Sequence, residues 1–239
     1  MTRPARSIIT RVACLAIAIP ALVAACSGGG GATTVPATSE PSAAAPTSVA
    51  SPVAGGPADC PTSQPEPLAA GEKRIVTIAT DQGDIEIELD ASLSPIAVGN
   101  FVALAECGWY DGVIFHRVIP GFVIQGGDGQ YGRSPDIDPN LIGTGGPPYT
   151  IQDEPVTATY GRGTVAMART PAPDSVGSQF FIVTDDAAQP ALADANTYQI
   201  IGTVTSGMET VDAIVNAPRN DQDFPDSPVV MNDVTVATP

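Results

Sequence analysis

The residues best equipped for chemistry lie close together, in Phe115-His116-Arg117-Val118-Ile119-Pro120-Gly121-Phe122-Val123-Ile124-Gln125-Gly126-Gly127-Asp128. His116 is the only histidine, and Arg117 is one of just ten Lys and Arg residues set against 26 Asp and Glu. Arginine is always charged and presents a rigid fork of donors, and no carboxylate lies near Arg117 in sequence to neutralise it. The obvious alternatives fail on residue supply. A structural zinc site needs about four Cys or His ligands, whereas a mature chain that has lost Cys14 with an export signal offers one His and three Cys, one of which, Cys26, is expected to carry lipid. There is no phosphate-cradling G-x-x-x-x-G-K and no strand–GxGxxG–helix unit. His116 could serve a serine nucleophile, but the G-x-S-x-G elbow is missing. Asp136-Ile137-Asp138 reads as a solvated loop rather than a calcium site.

The elements expected to position these residues are short strands with few helices. Ile75–Thr80 reads as a strand. Asp84–Asp90 alternates, with Ile85, Ile87 and Leu89 on one face and Glu86 and Glu88 on the other. Asp81-Gln82-Gly83 between them is a turn, which makes a hairpin with one wet face. Ser94-Pro95 opens a helix, with Ser94 as N-cap, and Gly108 stops it. Apolar runs at 113–119, 122–125, 164–168, 179–184, 198–204 and 229–236 are further strands, and 207–216 fits a second helix. The pattern predicts a closed or nearly closed antiparallel barrel with helices at its ends.

Composition divides the chain sharply. All 12 aromatic residues lie from Phe101 onward. Residues 1–25 show a basic start, an apolar stretch of about 14 residues and small residues before Cys26, the plan of an export signal. That stretch is short of the ~20 apolar residues a spanning helix needs. Val23-Ala24-Ala25-Cys26 resembles the bacterial lipobox, in which the cysteine becomes the lipid-bearing first residue. Residues 26–72 hold eight prolines and no Lys or Arg, and are expected to be a disordered tether. Residues 73–239 suit one domain. Loss of the signal removes Arg3, Arg6 and Arg11, lowering the formal charge of −16 by three, to −19. That balance argues against nucleic acid as a charge-driven partner. The expected location is outside the cell membrane, anchored to its outer face by the lipid on Cys26.

From residue 73 to 236 the sequence resembles the cyclophilins, peptidyl-prolyl cis–trans isomerases. The 115–128 stretch carries their signature, and Gly143-Thr144-Gly145-Gly146, Met167-Ala168-Arg169-Thr170 and Gly177-Ser178-Gln179-Phe180-Phe181 follow in the family's order. The resemblance implies an eight-stranded barrel capped by two helices, with no cofactor and no metal. It implies proline-containing peptides and unfolded exported proteins as partners, and a monomer. Arg117 falls where the family's arginine assists the twist of the X–Pro bond, and Gln125 and Gln179 match amides that orient it and bond substrate backbone. Phe122, Val123 and Phe181 match the proline pocket, Val123 standing in for a common methionine. Ala168 and Arg169 match the segment that binds peptide backbone, with arginine where some relatives have asparagine. His116 matches a histidine that lines or supports the site.

The stretch 189–198 departs from the pattern. By resemblance Gln189-Pro190-Ala191-Leu192-Ala193-Asp194-Ala195-Asn196-Thr197-Tyr198 should contain a Leu-Asp-Gly-like turn, often preceded in the family by a tryptophan that is missing here. Leu192 is expected to supply the pocket's leucine, and Tyr198 sits where many members have histidine or tyrosine. An alternative from another class is a peptide-binding module that uses the same groove with little turnover.

Two cysteines remain once Cys14 leaves with the signal and Cys26 takes lipid. Cys60 and Cys107 are expected to form a disulfide in an oxidising compartment, which would dock the end of the tether back to about Asp59. The other possibility is two separate thiols, with Cys107 buried and Cys60 free in the tail.

Overall fold

The computed structural model describes residues 56–239. The expected signal peptide, Cys26 and the tether as far as residue 55 lie outside the described residues. The first hairpin forms as its alternation requires. Strands β1 (Lys73–Thr80) and β2 (Gly83–Asp90) pair in register from Thr80 opposite Gly83 to Lys73 opposite Asp90. Ile85, Ile87 and Leu89 are fully buried, while Glu86 and Glu88 stand at the wetter face.

Helix α1 (Pro95–Glu106) begins at the expected proline, but its cap is not Ser94. The Ser94 hydroxyl is buried without a partner. The carboxylate of Glu154, far along the chain, accepts from the backbone N–H groups of Ile96 and Ala97 at 2.9 Å each. A carboxylate at a helix N-terminus gains from charge-assisted bonds and from the helix dipole, so it displaces the local hydroxyl.

The remaining strands are β3 (Val113–Ile119), β4 (Val123–Gly126), β5 (Thr164–Met167), β6 (Phe180–Val183), β7 (Ile200–Ser206), β8 (Val230–Met231) and β9 (Asp233–Ala237). They form one antiparallel sheet in the order β8-β3-β4-β6-β5-β7-β2-β1-β9. Among the described residues there are nine strands where eight were expected, because the run 229–236 breaks at Asn232. Its first part pairs with β3 and its second with β1, while the Asn232 N–H donates to the Ala79 carbonyl. The two end strands of the sheet are therefore consecutive in the chain, and the barrel is nearly closed.

Among the described residues there are three α-helices rather than two. α3 (Met208–Val215) falls where expected, whereas α2 (Gln189–Ala195) occupies the stretch read as a turn. Inside the barrel end, Phe101 stacks on Tyr110 at 4.8 Å and meets Phe180 edge-on at 5.3 Å.

The described chain starts ahead of Lys73, near the Asp59 boundary expected with Cys60 and Cys107 bridged rather than the Lys73 boundary that composition alone suggests. Residues 56–72 form a strap over α1, held at Cys60 by a disulfide to Cys107 with Cα atoms 5.2 Å apart. Leu68 packs on the core and donates its N–H to the Pro95 carbonyl at 3.1 Å. Gly99 makes this contact possible, since a Cβ there would stand 2.5 Å from the Glu66 carbonyl oxygen. Composition alone predicts disorder here, and the expected bridge between the two cysteines overrides it.

Candidate active site

Strand register assembles the site. Arg117 on β3 pairs with Gln125 on β4, Gln125 with Phe181 on β6, and Phe181 with Ala166 on β5. These four residues form one row across the outer face of the barrel wall. Ile124, Phe180 and Ile182 point the other way, into the core, while Val123, Ala166, Phe181 and Val183 join a separate apolar cluster outside.

Alternation alone would not place Arg117 in that row. Phe115 and Val118 both face the core, although residues three apart on a regular strand lie on opposite faces. The pairing explains this. Phe115 lies opposite Gly126 and Arg117 opposite Gln125, so β3 advances two residues while β4 advances one. His116 is the extra residue of a β-bulge, a device that re-aims a side chain. The bulge turns Arg117 outward.

A chain of amides stands behind the arginine. Arg117 Nη1 donates to Gln125 Oε1 at 3.5 Å, the long limit for such a bond. Gln125 Nε2 donates to Gln179 Oε1 at 3.0 Å. Gln179 Nε2 donates to the carbonyls of Gly143 and Gly145 at 3.0 and 2.9 Å. Among the described residues no carboxylate pairs with Arg117. Of its five donors, most remain free for a ligand.

The Gly143–Gly145 loop is fixed in turn by Asp128, whose side chain is fully buried. Its Oδ2 accepts from the N–H groups of Gly143 and Gly145 at 2.7 and 2.9 Å, and its Oδ1 from Tyr131 at 2.9 Å. Sequence reading gave Asp128 no role. The signal was present, because a carboxylate closing an otherwise apolar and glycine-rich run must find donors if it is buried.

Beside the amides lies a pocket of about 170 Å³ with mixed polar and apolar walls. Arg117, Phe122, Val123, Gln125, Ala168, Arg169, Phe181, Leu192 and Tyr198 all border it. Of the residues expected at the site, His116 and Gln179 stand outside this pocket. Gln179 acts through Gln125, and His116 lines a neighbouring cavity with Arg117. Burial keeps the His116 imidazole neutral at pH 7, lowering its pKa to about 4. That makes it a poor proton carrier near neutrality.

Arg169 does not extend its guanidinium toward a ligand. The group donates to the carbonyls of Ala172 and Thr197 at 2.7 and 3.4 Å and pairs with Asp153 at 2.8 Å. It staples the Ala168–Ala172 segment to the chain entering Tyr198, so two sides of the pocket are held by one side chain. Asp153 was missed for the same reason as Glu154: its partner is remote in sequence. The far wall comes from α2 and the loop after it, with Leu192 buried and the Tyr198 ring edge-on to Phe181 at 5.3 Å. The single tryptophan, Trp109, is buried beneath Gly56 and Gly129.

Comparison with known proteins agrees with this arrangement. A family model described as cyclophilin type peptidyl-prolyl cis-trans isomerase/CLD matches residues 75–236. The chain is 41% identical over 148 residues to a probable peptidyl-prolyl cis-trans isomerase of Brucella suis, spanning 61% of this chain and 74% of that protein. It is 36% identical over 174 residues to peptidyl-prolyl cis-trans isomerase A of Dickeya dadantii, spanning 71% and 87%. A crystal structure of a Cryptosporidium parvum cyclophilin-type isomerase superposes with TM-score 0.59 at 33% identity, over 70% of this chain and 99% of that one. The same protein in the presence of the dipeptide Ala-Pro gives a TM-score of 0.58. Fold, family model and relatives coincide on one enzyme class, and the chain belongs to the cyclophilin-type peptidyl-prolyl cis–trans isomerases.

Proposed function

We propose that the protein isomerises X–Pro bonds in exported polypeptides, working outside the membrane on a lipid anchor at Cys26. An unassisted X–Pro bond takes tens to hundreds of seconds to isomerise, because amide resonance imposes a barrier of about 18–20 kcal/mol. No covalent bond breaks. What is needed is a donor for the prolyl nitrogen, whose lone pair is available only while the bond is twisted. An interaction made only in that state accelerates the step.

Arg117 suits this role. The observation that carries the reading is a guanidinium with unused donors on the rim of a pocket of about 170 Å³ that also presents the apolar side chains of Phe122, Val123, Phe181 and Leu192. In this reading the proline ring sits among Phe122, Val123, Phe181 and Leu192, Gln125 holds the arginine, and Tyr198 closes the far side. The Ala-Pro dipeptide present with the Cryptosporidium relative is the kind of ligand the pocket would take. The Cys60–Cys107 bridge suits an oxidising compartment, which supports export.

Arg117→Ala should lower kcat/KM at least about tenfold, roughly 1.4 kcal/mol of transition-state stabilisation, with an unchanged melting temperature. A protease-coupled assay on an X–Pro peptide measures it, and near-wild-type turnover would remove the mechanism. For the anchor, Cys26→Ser should abolish incorporation of a fatty-acid analogue in cells. Equal labelling of both proteins would refute it.

A further inference from the structure

The pocket assigned to proline is flanked by two larger cavities. One, of about 380 Å³, shares Gln125, Ala168 and Arg169 with it. The other, of about 350 Å³, shares Arg117 and Gln125 and lies on the His116 side. A polypeptide whose proline occupies the middle pocket leaves it across both flanks. We propose that the His116-side cavity is a subsite for a lysine or arginine of the substrate polypeptide, close to the isomerised proline. The proposal rests on the isomerase reading and adds a substrate preference to it.

The walls of the cavity suit such a side chain along its length. Half-buried Ile142 and Phe224 offer apolar surface to the aliphatic stem that Lys and Arg lay down while keeping the charged head in water. Gln222 also lines the cavity. The two loops that supply these residues carry Asp136, Asp138, Asp221, Asp223 and Asp226, against two nearby cations: Arg133, whose guanidinium is taken up by the Asp111 and Trp109 carbonyls, and Arg219, which already pairs with Asp223 at 3.6 Å. Negative charge around a cleft raises the local concentration of a cationic ligand. Arg117 is the one charged cation in the wall. It stands at the side shared with the proline pocket, so a basic head group is directed outward, toward the acidic loops. His116 adds no opposing charge near neutrality, and its buried Nδ1 has no hydrogen-bond partner.

The subsite is built rather than left to a mobile loop. The Asp223 carbonyl accepts from the Val118 N–H on β3 at 2.9 Å. Asn220 Oδ1 accepts from the N–H groups of Gln222 and Phe224 at 2.9 and 3.1 Å. A wall fixed before the ligand arrives spares the cost of ordering it on binding.

The test uses the purified protein and exchange NMR on proline peptides carrying Lys, Gln or Glu at each of the positions flanking the proline. On one side of the proline, Lys peptides should exceed Glu peptides in kcat/KM by about three- to fivefold at low ionic strength, the range of exposed ion pairs. Added salt should shrink the difference. Asp221→Asn with Asp223→Asn should reduce the Lys-to-Gln ratio, and Phe224→Ala should raise KM for Lys peptides more than for Gln peptides. Equal kcat/KM for Lys and Glu peptides, with Gln peptides turned over normally, would overturn the subsite and leave the isomerase standing. No turnover of any peptide would overturn the activity, and the subsite with it.

Discussion

The two walls of the proline pocket are built in different ways. The near wall, with Arg117, Gln125, Val123 and Phe181, stands on neighbouring strands and inherits their register. Each side chain is located by hydrogen-bonded partners on one or both sides. The far wall, with Leu192 and Tyr198, stands on the seven-residue helix α2 and the loop after it. There the position depends on single contacts: the Tyr160 hydroxyl donating to the Tyr198 carbonyl at 2.9 Å, Arg169 donating to Thr197, and Asn196 in a left-handed conformation with φ 43°. A sheet locates a residue redundantly, whereas a loop locates it through a few separable bonds. The near wall should therefore be costly to alter and the far wall adjustable.

The largest expected effect tests this directly. Phe181→Ala removes a buried ring from the strand wall and should cost about 3–5 kcal/mol of stability. Tyr198→Ala, at a half-buried ring on the far wall, should cost about 1 kcal/mol and act mainly on KM. Urea unfolding of both variants decides it. Equal losses would end the distinction between the walls.

The strap sharpens the comparison next, because the far side leans on it. Gln64 Oε1 accepts from the Gln152 N–H at 3.0 Å, and the following residues Asp153 and Glu154 hold Arg169 and the start of α1. In the chain-entropy model a bridge across a separation of 47 residues contributes about 4 kcal/mol, an upper figure. Cys60→Ser should lower stability toward that amount and raise KM while kcat holds. A fall in kcat at constant KM would place the strap's influence on the near wall instead.

His116 probes the near wall through pH. Its folded pKa of about 4 lies below its ordinary 6.5, because burial disfavours the imidazolium. Between those values the unfolded chain holds more protons, so stability rises with pH. The contribution is complete above about pH 6.5 and is lost as pH falls through 4, amounting to about 3 kcal/mol. His116→Gln should flatten that part of the profile in melting temperatures taken at pH 4 and pH 7. An unchanged slope would mean that the imidazole is not held neutral in the bulge.

What the sequence revealed follows the same division. Ile85, Ile87 and Leu89, the strand runs and helix α3 were legible because alternation and helical spacing are local. The fold and the residues around the pocket were legible through motifs in a fixed order. The bulge at His116 was hidden, since the insertion exists only relative to β4. The Glu154 cap and the Asp153–Arg169 pair were hidden because each joins segments remote in sequence. Helix α2 is short, and seven residues with an alanine-rich pattern and a proline at the second position read as easily as a turn. The strap was legible only through the expected Cys60–Cys107 bridge, because its proline content by itself signals disorder and the bridge overrides that signal.

The smallest expected effect concerns the residue that ends α2. Asn196 adopts φ 43° and ψ 39°, and its N–H bonds the Leu192 carbonyl at 2.9 Å. The left-handed region costs an ordinary residue about 1–2 kcal/mol, less for asparagine and nothing for glycine. Asn196→Ala should lose about 1 kcal/mol and, by loosening the turn that delivers Thr197 and Tyr198, raise KM for a proline peptide. Asn196→Gly keeps the conformation accessible and should leave stability within about 0.5 kcal/mol and KM close to wild type. The pair separates backbone conformation from side-chain loss, because both variants delete the same amide. If alanine and glycine shift KM equally, the far wall is held by the Tyr160 and Arg169 bonds alone, and the left-handed residue only completes the helix end.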